Sequence, residues 1–362
     1  MIFGKTACIG IEITDSDIHA VEVVRAKNRV QILRALEIPL EAGIVVDGDV
    51  QQPEELGFLL REQFKLANLK AKIVRVVVPS RYVVIRQISM PKISKHDIRQ
   101  AIAFELEHSI HLPFDESVFD FVKLNIPSEG ASGTDVSDED SIMNRSEADF
   151  RDPYIVVAAS KEIVERMVQA VETADRKVKT VDVRALSLYR LYTFSNQNAS
   201  NETILFVDIA EAGTDIHIFR NGFLLFTRNV PLPLDNYRKH ESQTFYLEPA
   251  AKSEQMRAGD AALTIDALLF AQDLAYEIER SINFYQYTLN NRDQYVSRLI
   301  LSGNVFEPQV LTEYFKSRLD LEVNLISSRQ MVWQEGEYND ETFRKHAVAI
   351  GLAIREDKRT WK

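Results

Sequence analysis

Two widely separated stretches of this chain read alike, and their likeness is what most limits the fold. Residues 6–13 (TACIGIEI) and 18–24 (IHAVEVV) flank the polar turn Thr14-Asp15-Ser16-Asp17, and the first run ends near a carboxylate, Glu12. Residues 203–209 (TILFVDI) and 214–220 (TDIHIFR) flank Ala210-Glu211-Ala212-Gly213, and here the acid is Asp208. Short β-branched runs bounded by turn residues predict paired strands. A third strand is predicted after each pair, at 30–38 and at 223–230, the latter following Asn221-Gly222, a strong hairpin signal. A helix (53–69; 264–290) and a further strand (73–78; 296–301) come next in each half. Such a chain is expected to form two α/β halves, and a cleft between halves is a common ligand site.

Composition narrows the functions that cleft could serve. The 362 residues are enough for two or three folding units. Lys and Arg number 43 against 54 Asp and Glu, a net charge of −11, which argues against a general nucleic-acid binder. The single cysteine, Cys8, excludes an internal disulfide and a Cys-based zinc site; in an apolar strand it is expected to be inert core. The N-terminal apolar residues are interrupted by charge and no uncharged apolar run approaches the length of a spanning helix, so no leader and no membrane span are expected. Glycine is scarce, 13 residues, about half the usual share of roughly 7%. That matters because phosphate-binding turns need small residues for backbone N–H groups to reach the oxygens.

Between the halves, the pattern predicts a strand at 82–88, a helix at 95–109 capped by Ser94, and strands at 118–124 and 154–159. A helix at 161–174, a strand at 178–183 and a helix at 184–194 follow. Residues 127–152 carry eight acids against Arg145 and Arg151 and read as an inserted acidic loop. Further on, a helix is predicted at 307–319, a strand at 323–325 and a closing helix at 341–355.

Taken in order, several segments resemble the PilM-like type IV pilus assembly proteins of the actin/Hsp70/FtsA superfamily. They are IPLEAGIVVDGDV (38–50), IRQISMPKISKHDIRQAIAFELEHSIHLPFDESVFDF (85–121) and VVAASKEIVERMVQAVETADRKVKTVDVRALSLYRL (156–191), then ILFVDIAEAGTDIHIFRNGFLLFTRNVPL (204–232), LAYEIERSINFY (274–285), RLILSGN (298–304) and AVAIGLAIRE (347–356). The resemblance spans almost the whole chain. It implies an α/β, actin-like two-lobed fold with an inserted strand-helix-strand-strand module. The first lobe would be 1–80 with 178–200, the module 81–177, and the second lobe 201–362.

In that superfamily the two hairpin turns grip nucleotide phosphates and the acids hold Mg²⁺. Here the motif is altered. The family's first loop reads Gly-(Ile/Leu)-Asp-Ile-Gly-Ser-Ser-Ser-(Val/Ile)-Lys, whereas this chain has Gly10, Ile11, Glu12, Ile13, Thr14, Asp15, Ser16, Asp17, Ile18 and His19. A loop glycine is lost, a cation becomes His19, and two carboxylates are added. Unit charges about 4 Å apart repel by roughly 1–4 kcal/mol at effective dielectrics of 80 to 20. In the second loop Ala210 replaces a glycine. After Arg228 the family's Gly-Gly pair gives way to Pro231-Leu-Pro-Leu-Asp235, and the third loop is Ser302-Gly303-Asn304 where the family has Ser-Gly-Gly. Asn304 can take a left-handed backbone and keep that loop's shape. Glu277 and Arg280 match the family's adenosine-contacting face; an i,i+3 surface ion pair is the plain alternative.

The resemblance therefore implies a vestigial nucleotide cleft at Glu12, Thr14, Asp15, Ser16, His19, Asp208, Ala210, Glu277, Arg280, Gly303 and Asn304. No catalytic residue is assigned, and a metal would sit at Glu12 and Asp208 only with Mg-nucleotide. The expected function is a cytoplasmic scaffold or adaptor of a type IV pilus, competence or type II secretion machine. It would bind the short cytoplasmic N-terminal peptide of a PilN-like inner-membrane protein in a groove beside the 95–109 helix, with indirect membrane contact and no cofactor. Homo-oligomer formation is left open. The alternative is an actin-like ATPase switched by Mg-ATP in the interlobe cleft, with or without filament formation.

Other constellations carry less. His108-Ser-Ile-His111 lacks a third ligand and reads as a helix C-terminus. The stripe Ile282, Phe284, Tyr285 and Tyr287 reads as core. No Gly-x-Ser-x-Gly elbow supports serine catalysis.

Overall fold

The structure, a computed structural model, describes residues 7–26, 29–94, 96–124, 151–196, 202–237, 258–327, 331–333 and 339–356. Nearly all of the predicted acidic loop lies outside those residues, as do 238–257. Two compact units are present: one takes the described residues up to Arg81 and from Glu162 on, the other is Tyr82–Lys161.

The larger unit contains two sheets built to one plan. In the first, β1 (Ala7–Ile13), β2 (Asp17–Ala26) and β3 (Arg29–Pro39) form an antiparallel meander, with Glu12 opposite His19. The small hairpin β4 (Val45–Val46) and β5 (Asp49–Val50) and helix α1 (Pro53–Leu66) then carry the chain to β6 (Ile73–Val78), parallel to β1. In the smaller unit, β7 (Val83–Pro91), α2 (Ile98–His108), β8 (Ser117–Lys123) and β9 (Arg151–Ser160) make a three-stranded antiparallel sheet in the order β7-β9-β8. Helix α2 covers it through Ile98, Ile102 and Leu106, which pack with Met90, Tyr154 and Val156. The family resemblance places residues 161–177 with this module. In the structure α3 (Lys161–Thr173) belongs almost wholly to the larger unit, where Thr173 meets Gly57 of α1 and Arg166 pairs with Asp49 at 2.7 Å.

The chain returns to the first sheet as β10 (Lys177–Val183), parallel to β6, and leads straight into α4 (Arg184–Ser195). The second sheet repeats the meander with β11 (Thr203–Ala210), β12 (Gly213–Arg220) and β13 (Phe223–Val230). Asn221 and Gly222 both take positive φ, 51° and 82°, as a type I′ hairpin requires. Helix α5 (Ala258–Asn283) crosses to β14 (Arg298–Gly303), parallel to β11, and α6 (Pro308–Leu319) crosses to β15 (Glu322–Leu325). The orders β3-β2-β1-β6-β10 and β13-β12-β11-β14-β15 are the same topology twice, with β16 (Met331–Trp333) added beside β3.

The chain ends on α7 (Asp340–Lys345) and α8 (Ala347–Ala353). The sequence predicts one helix over 341–355. It breaks at His346, whose ring nitrogens approach the carbonyls of Thr342 and Leu36 at 2.9 and 3.2 Å. Helix α8 is apolar all round and fully buried, as a core helix should be. It lies so close to β1 that a Cβ on Gly10 would collide with the Ala349 carbonyl. The predicted 264–290 helix also differs: α5 stops at Asn283 and a π-helical turn, Phe284–Thr288, follows. The extra residue per turn breaks the expected apolar stripe, so Tyr285 is buried while Phe284 and Tyr287 are exposed. Cys8 is buried as expected and accepts a hydrogen bond from Arg75 at 3.1 Å. His108 caps its own helix by approaching the Phe104 carbonyl at 2.9 Å.

Strand alternation explains where the polar residues fall. On β11, Leu205, Val207 and Ile209 join the core under α5 and α6. Phe206 points the other way, edge-on to Tyr189 and Tyr192 of α4 and to Phe219. Asp208 shares that second face. His217, on β12, is fully buried with Nδ1 2.7 Å from the Thr227 hydroxyl.

Burial pushes His217 down to about 4, with Arg184 acting in the same sense and Asp215 against it. The folded protein therefore holds this ring neutral while the unfolded chain protonates it below about 6.5, so stability is lost as pH falls from 6.5 toward 4 and no further below that. Relative to His217→Gln, the wild type should lose about 3 kcal/mol over that window, read from thermal or urea unfolding at stepped pH. Parallel profiles for the two proteins would show that His217 is not the acid-sensitive group.

Candidate functional site

The turns that end β1 and β11, together with the Gly303 turn after β14, open onto one cavity of about 380 Å³ within the larger unit. Nine of the sequence-selected residues line it: Glu12, Thr14, Asp15, Ser16, His19, Asp208, Ala210, Gly303 and Asn304. Glu277 and Arg280 are not among its lining residues. Glu277 instead pairs with Arg228 at 2.6 Å and lies 3.8 Å from Arg280, which is largely exposed. The third turn keeps its shape through Gly303, at φ 79°, rather than through Asn304. A Cβ at Gly303 would strike the Ile209 carbonyl. Asn304 donates its backbone N–H to Ile209 at 2.7 Å and its side-chain amide to Glu211 at 2.9 Å. Pro233 and Asp235, in the stretch that replaces the expected glycine pair, also line the cavity.

The residue that organises the site is one the sequence reading passed over. Arg184, the first residue of α4, extends its guanidinium to carboxylates from both sheets. It reaches Glu12 at 2.6 Å, Asp208 at 2.9 Å and Asp215 at 3.4 Å. All four side chains are more than nine-tenths buried. The acids are themselves held: Asp208 accepts from the Ser302 hydroxyl at 2.7 Å, and Asp215 from Ser80 at 2.8 Å and Asn229 at 2.9 Å. Read alone, Arg184 is an ordinary arginine at the start of a helix, and only its contacts mark it out. A cation at a helix N-terminus opposes the helix dipole, and the surrounding acids offset that.

The charges respond accordingly. Burial opposes the Arg184 charge, but the three carboxylates outweigh it and push its pKa up. Burial also raises Glu12, yet Arg184 and His19 hold it below the usual carboxylate range. Asp208 goes the other way, pushed up to about 6 by burial and by the neighbouring Glu12 and Asp215 charges, against Arg184. His19 is desolvated, but Glu12, Asp17 and Glu37 raise its pKa overall, favouring imidazolium. Asp17, His19 and Glu37 bring one ligand atom each within 4.8 Å of one another. A proton on His19 competes with any metal for that nitrogen.

The first turn is satisfied by itself. Thr14 Oγ1 accepts the N–H groups of Ser16 and Asp17 at 3.3 and 3.1 Å, and the Thr14 N–H donates to the Asp17 carbonyl at 2.9 Å. The Asp15 carboxylate accepts the N–H groups of Asp47 and Gly48 at 3.0 and 2.5 Å, in the manner of an anion held in a backbone nest. Eight carboxylates line the cavity against Arg81, Arg184, Lys345 and His19. The Mg-nucleotide that the resemblance implies does not fit this donor set. The acids that would face the metal are engaged by Arg184, backbone donors of the first turn are engaged internally, and the net lining charge opposes phosphate.

Removing a buried partner leaves uncompensated charge, typically at a cost of about 3–5 kcal/mol. Arg184→Met should lower unfolding stability by that amount at pH 7, measured in urea without divalent ions. A loss under about 1 kcal/mol would mean the three acids find other compensation.

A family model described as type IV pilus assembly protein PilM matches residues 10–357. Among solved structures the chain is similar to one titled as a PilM-PilN type IV pilus biogenesis complex, at 20% identity over 97% of this chain and 98% of that one, with a TM-score of 0.72. Weaker likenesses include ethanolamine utilization protein EutJ from Carboxydothermus hydrogenoformans (13% identity, 97% and 90% covered, TM-score 0.47) and MreB 5 of Spiroplasma citri bound to AMPPNP (10% identity, 96% and 95% covered, TM-score 0.46). The fold is actin-like, and the chain belongs to the type IV pilus assembly protein PilM family.

Proposed function

We propose that this protein is a scaffold of a type IV pilus or related secretion assembly, and that it docks the short cytoplasmic peptide of a PilN-like inner-membrane protein. Membership of the PilM family over residues 10–357 carries this reading. Among the described residues no helix is long and apolar enough to cross a membrane, which agrees with recruitment through a partner. The smaller unit has features suited to a peptide. Among the described residues, β8 in the three-stranded sheet pairs with β9 alone, and on its other edge the Arg99 and Asp120 side chains hold the Phe119 carbonyl and the Phe121 N–H, backbone groups that an added strand would take over. Val118 on β8 is exposed, and Phe104, 59% exposed, stacks on His108 along α2. Exposed aromatic and β-branched groups beside an open edge give an extended peptide both backbone and side-chain contacts.

A tagged copy should move to the membrane fraction only when a partner with a short cytoplasmic tail and one spanning helix is co-expressed. Recruitment in its absence would overturn the adaptor reading.

We also infer that the cleft neither binds nor hydrolyses ATP at a useful rate, on the support of the Arg184 pairing and the acidic lining. Its volume of about 380 Å³ is in the range of ligand pockets, so size alone does not decide the matter. Calorimetric titration with Mg-ATP should show no saturable heat up to millimolar nucleotide. A micromolar dissociation constant would favour the nucleotide-switched ATPase instead.

A further inference from the structure

We propose that the Arg184 guanidinium is a built-in substitute for a divalent cation, binding the two sheets together through Glu12 and Asp208 without a metal. The proposal goes beyond partner recruitment and is independent of it. Three observations carry it. First, Arg184 contacts carboxylates from β1, β11 and β12, so one cation bridges both sheets, at 2.6, 2.9 and 3.4 Å. Second, the converging groups are carboxylate oxygens, the hard donors that Mg²⁺, Mn²⁺ and Ca²⁺ select. Asp208 and Asp215 are already oriented by Ser302, Ser80 and Asn229, and Glu12 lies 3.6 Å from His19, none of which depends on Arg184. Third, the cation grows from the first position of α4, where the helix dipole disfavours it. The surrounding acids supply the compensating charge.

The substitution has a chemical consequence. A guanidinium carries one charge and donates along fixed directions, whereas a divalent ion carries two and keeps water ligands for exchange. Arg184 therefore holds the acids permanently and leaves no exchangeable coordination position, and the link between sheets does not depend on a dissociable ligand. Take the guanidinium away, and three buried carboxylates remain around a space that a hydrated divalent ion can fill.

The test uses the full chain and metal chloride alone, so its outcome is separate from that of the ATP titration. Wild type, Arg184→Ala and Arg184→Lys are compared by thermal unfolding and by calorimetry with MgCl₂, CaCl₂ and MnCl₂ in chelator-treated buffer. Arg184→Ala should melt lower than wild type in metal-free buffer. Millimolar divalent ion should restore its Tm saturably, with at least tenfold tighter binding than wild type. Adding Asp208→Asn to Arg184→Ala should abolish the effect. Arg184→Lys, which keeps a charge in place, should remain insensitive to metal. If Arg184→Ala does not fold alone, refolding in 10 mM MnCl₂ should recover it. The proposal is overturned if Arg184→Ala is unresponsive to all three ions, folded or not. It is equally overturned if wild type binds them as tightly as Arg184→Ala does, or if Arg184→Lys gains metal binding to the same degree.

Discussion

One buried guanidinium joins the two sheets of the larger unit. Arg184 begins the helix that follows the last strand of the first sheet, and it meets acids that end β1 and β11. Three carboxylates buried this deeply cannot all stay ionised without a cation among them, because burial disfavours each charge and each acid raises its neighbours. Asp208, driven upward despite its contact with Arg184, is the site of that remaining tension. A buried ion cluster is weak evidence for stability, since well-packed apolar side chains often do better. Its value lies in geometry: it requires both sheets to present their strand ends to one point.

The rest of the larger unit delivers those strand ends. The same topology occurs twice, and in each copy the acid sits on the meander's first strand beside the hairpin turn. Alternation along β11 sends Asp208 to the face where Tyr189 and Tyr192 of α4 pack on Phe206. The opposite face, with Leu205, Val207 and Ile209, is closed by α5 and α6. A second charge cluster supports α4 from behind. Asp182, just before the helix, pairs with Arg190 at 2.8 Å and with Arg355 at 2.7 Å, while Arg75 donates to the Ala353 carbonyl at 3.0 Å. The helix carrying Arg184 is thus pinned to α8 and the first sheet.

Within the actin-like fold, the first turn and its neighbour satisfy their own backbone donors. Thr14, in place of a glycine, uses its hydroxyl to occupy the N–H groups of its own turn. Asp15, in place of a serine, occupies those of Asp47 and Gly48. Both side chains act as acceptors for backbone N–H groups within the chain. The helix and strands of the smaller unit form a small core of their own, with Phe119 and Phe121 of β8 packed against it and Val118 and Phe104 exposed.

The sequence by itself determined the order of nearly every strand and helix, the duplication of the meander and the family. These rest on local periodicity, turn residues and motif order, which are properties of contiguous stretches. It also marked the acids and turns that meet in the cavity. It could not show what neutralises Glu12 and Asp208, because the answer, Arg184, sits 172 residues from one and 24 from the other and looks in isolation like an ordinary helical arginine. It likewise missed the break at His346 and the π turn after Asn283, where distant packing overrides local helix preference. Charge compensation among buried groups is set by three-dimensional proximity, and only the tertiary structure decided which cation those acids would share.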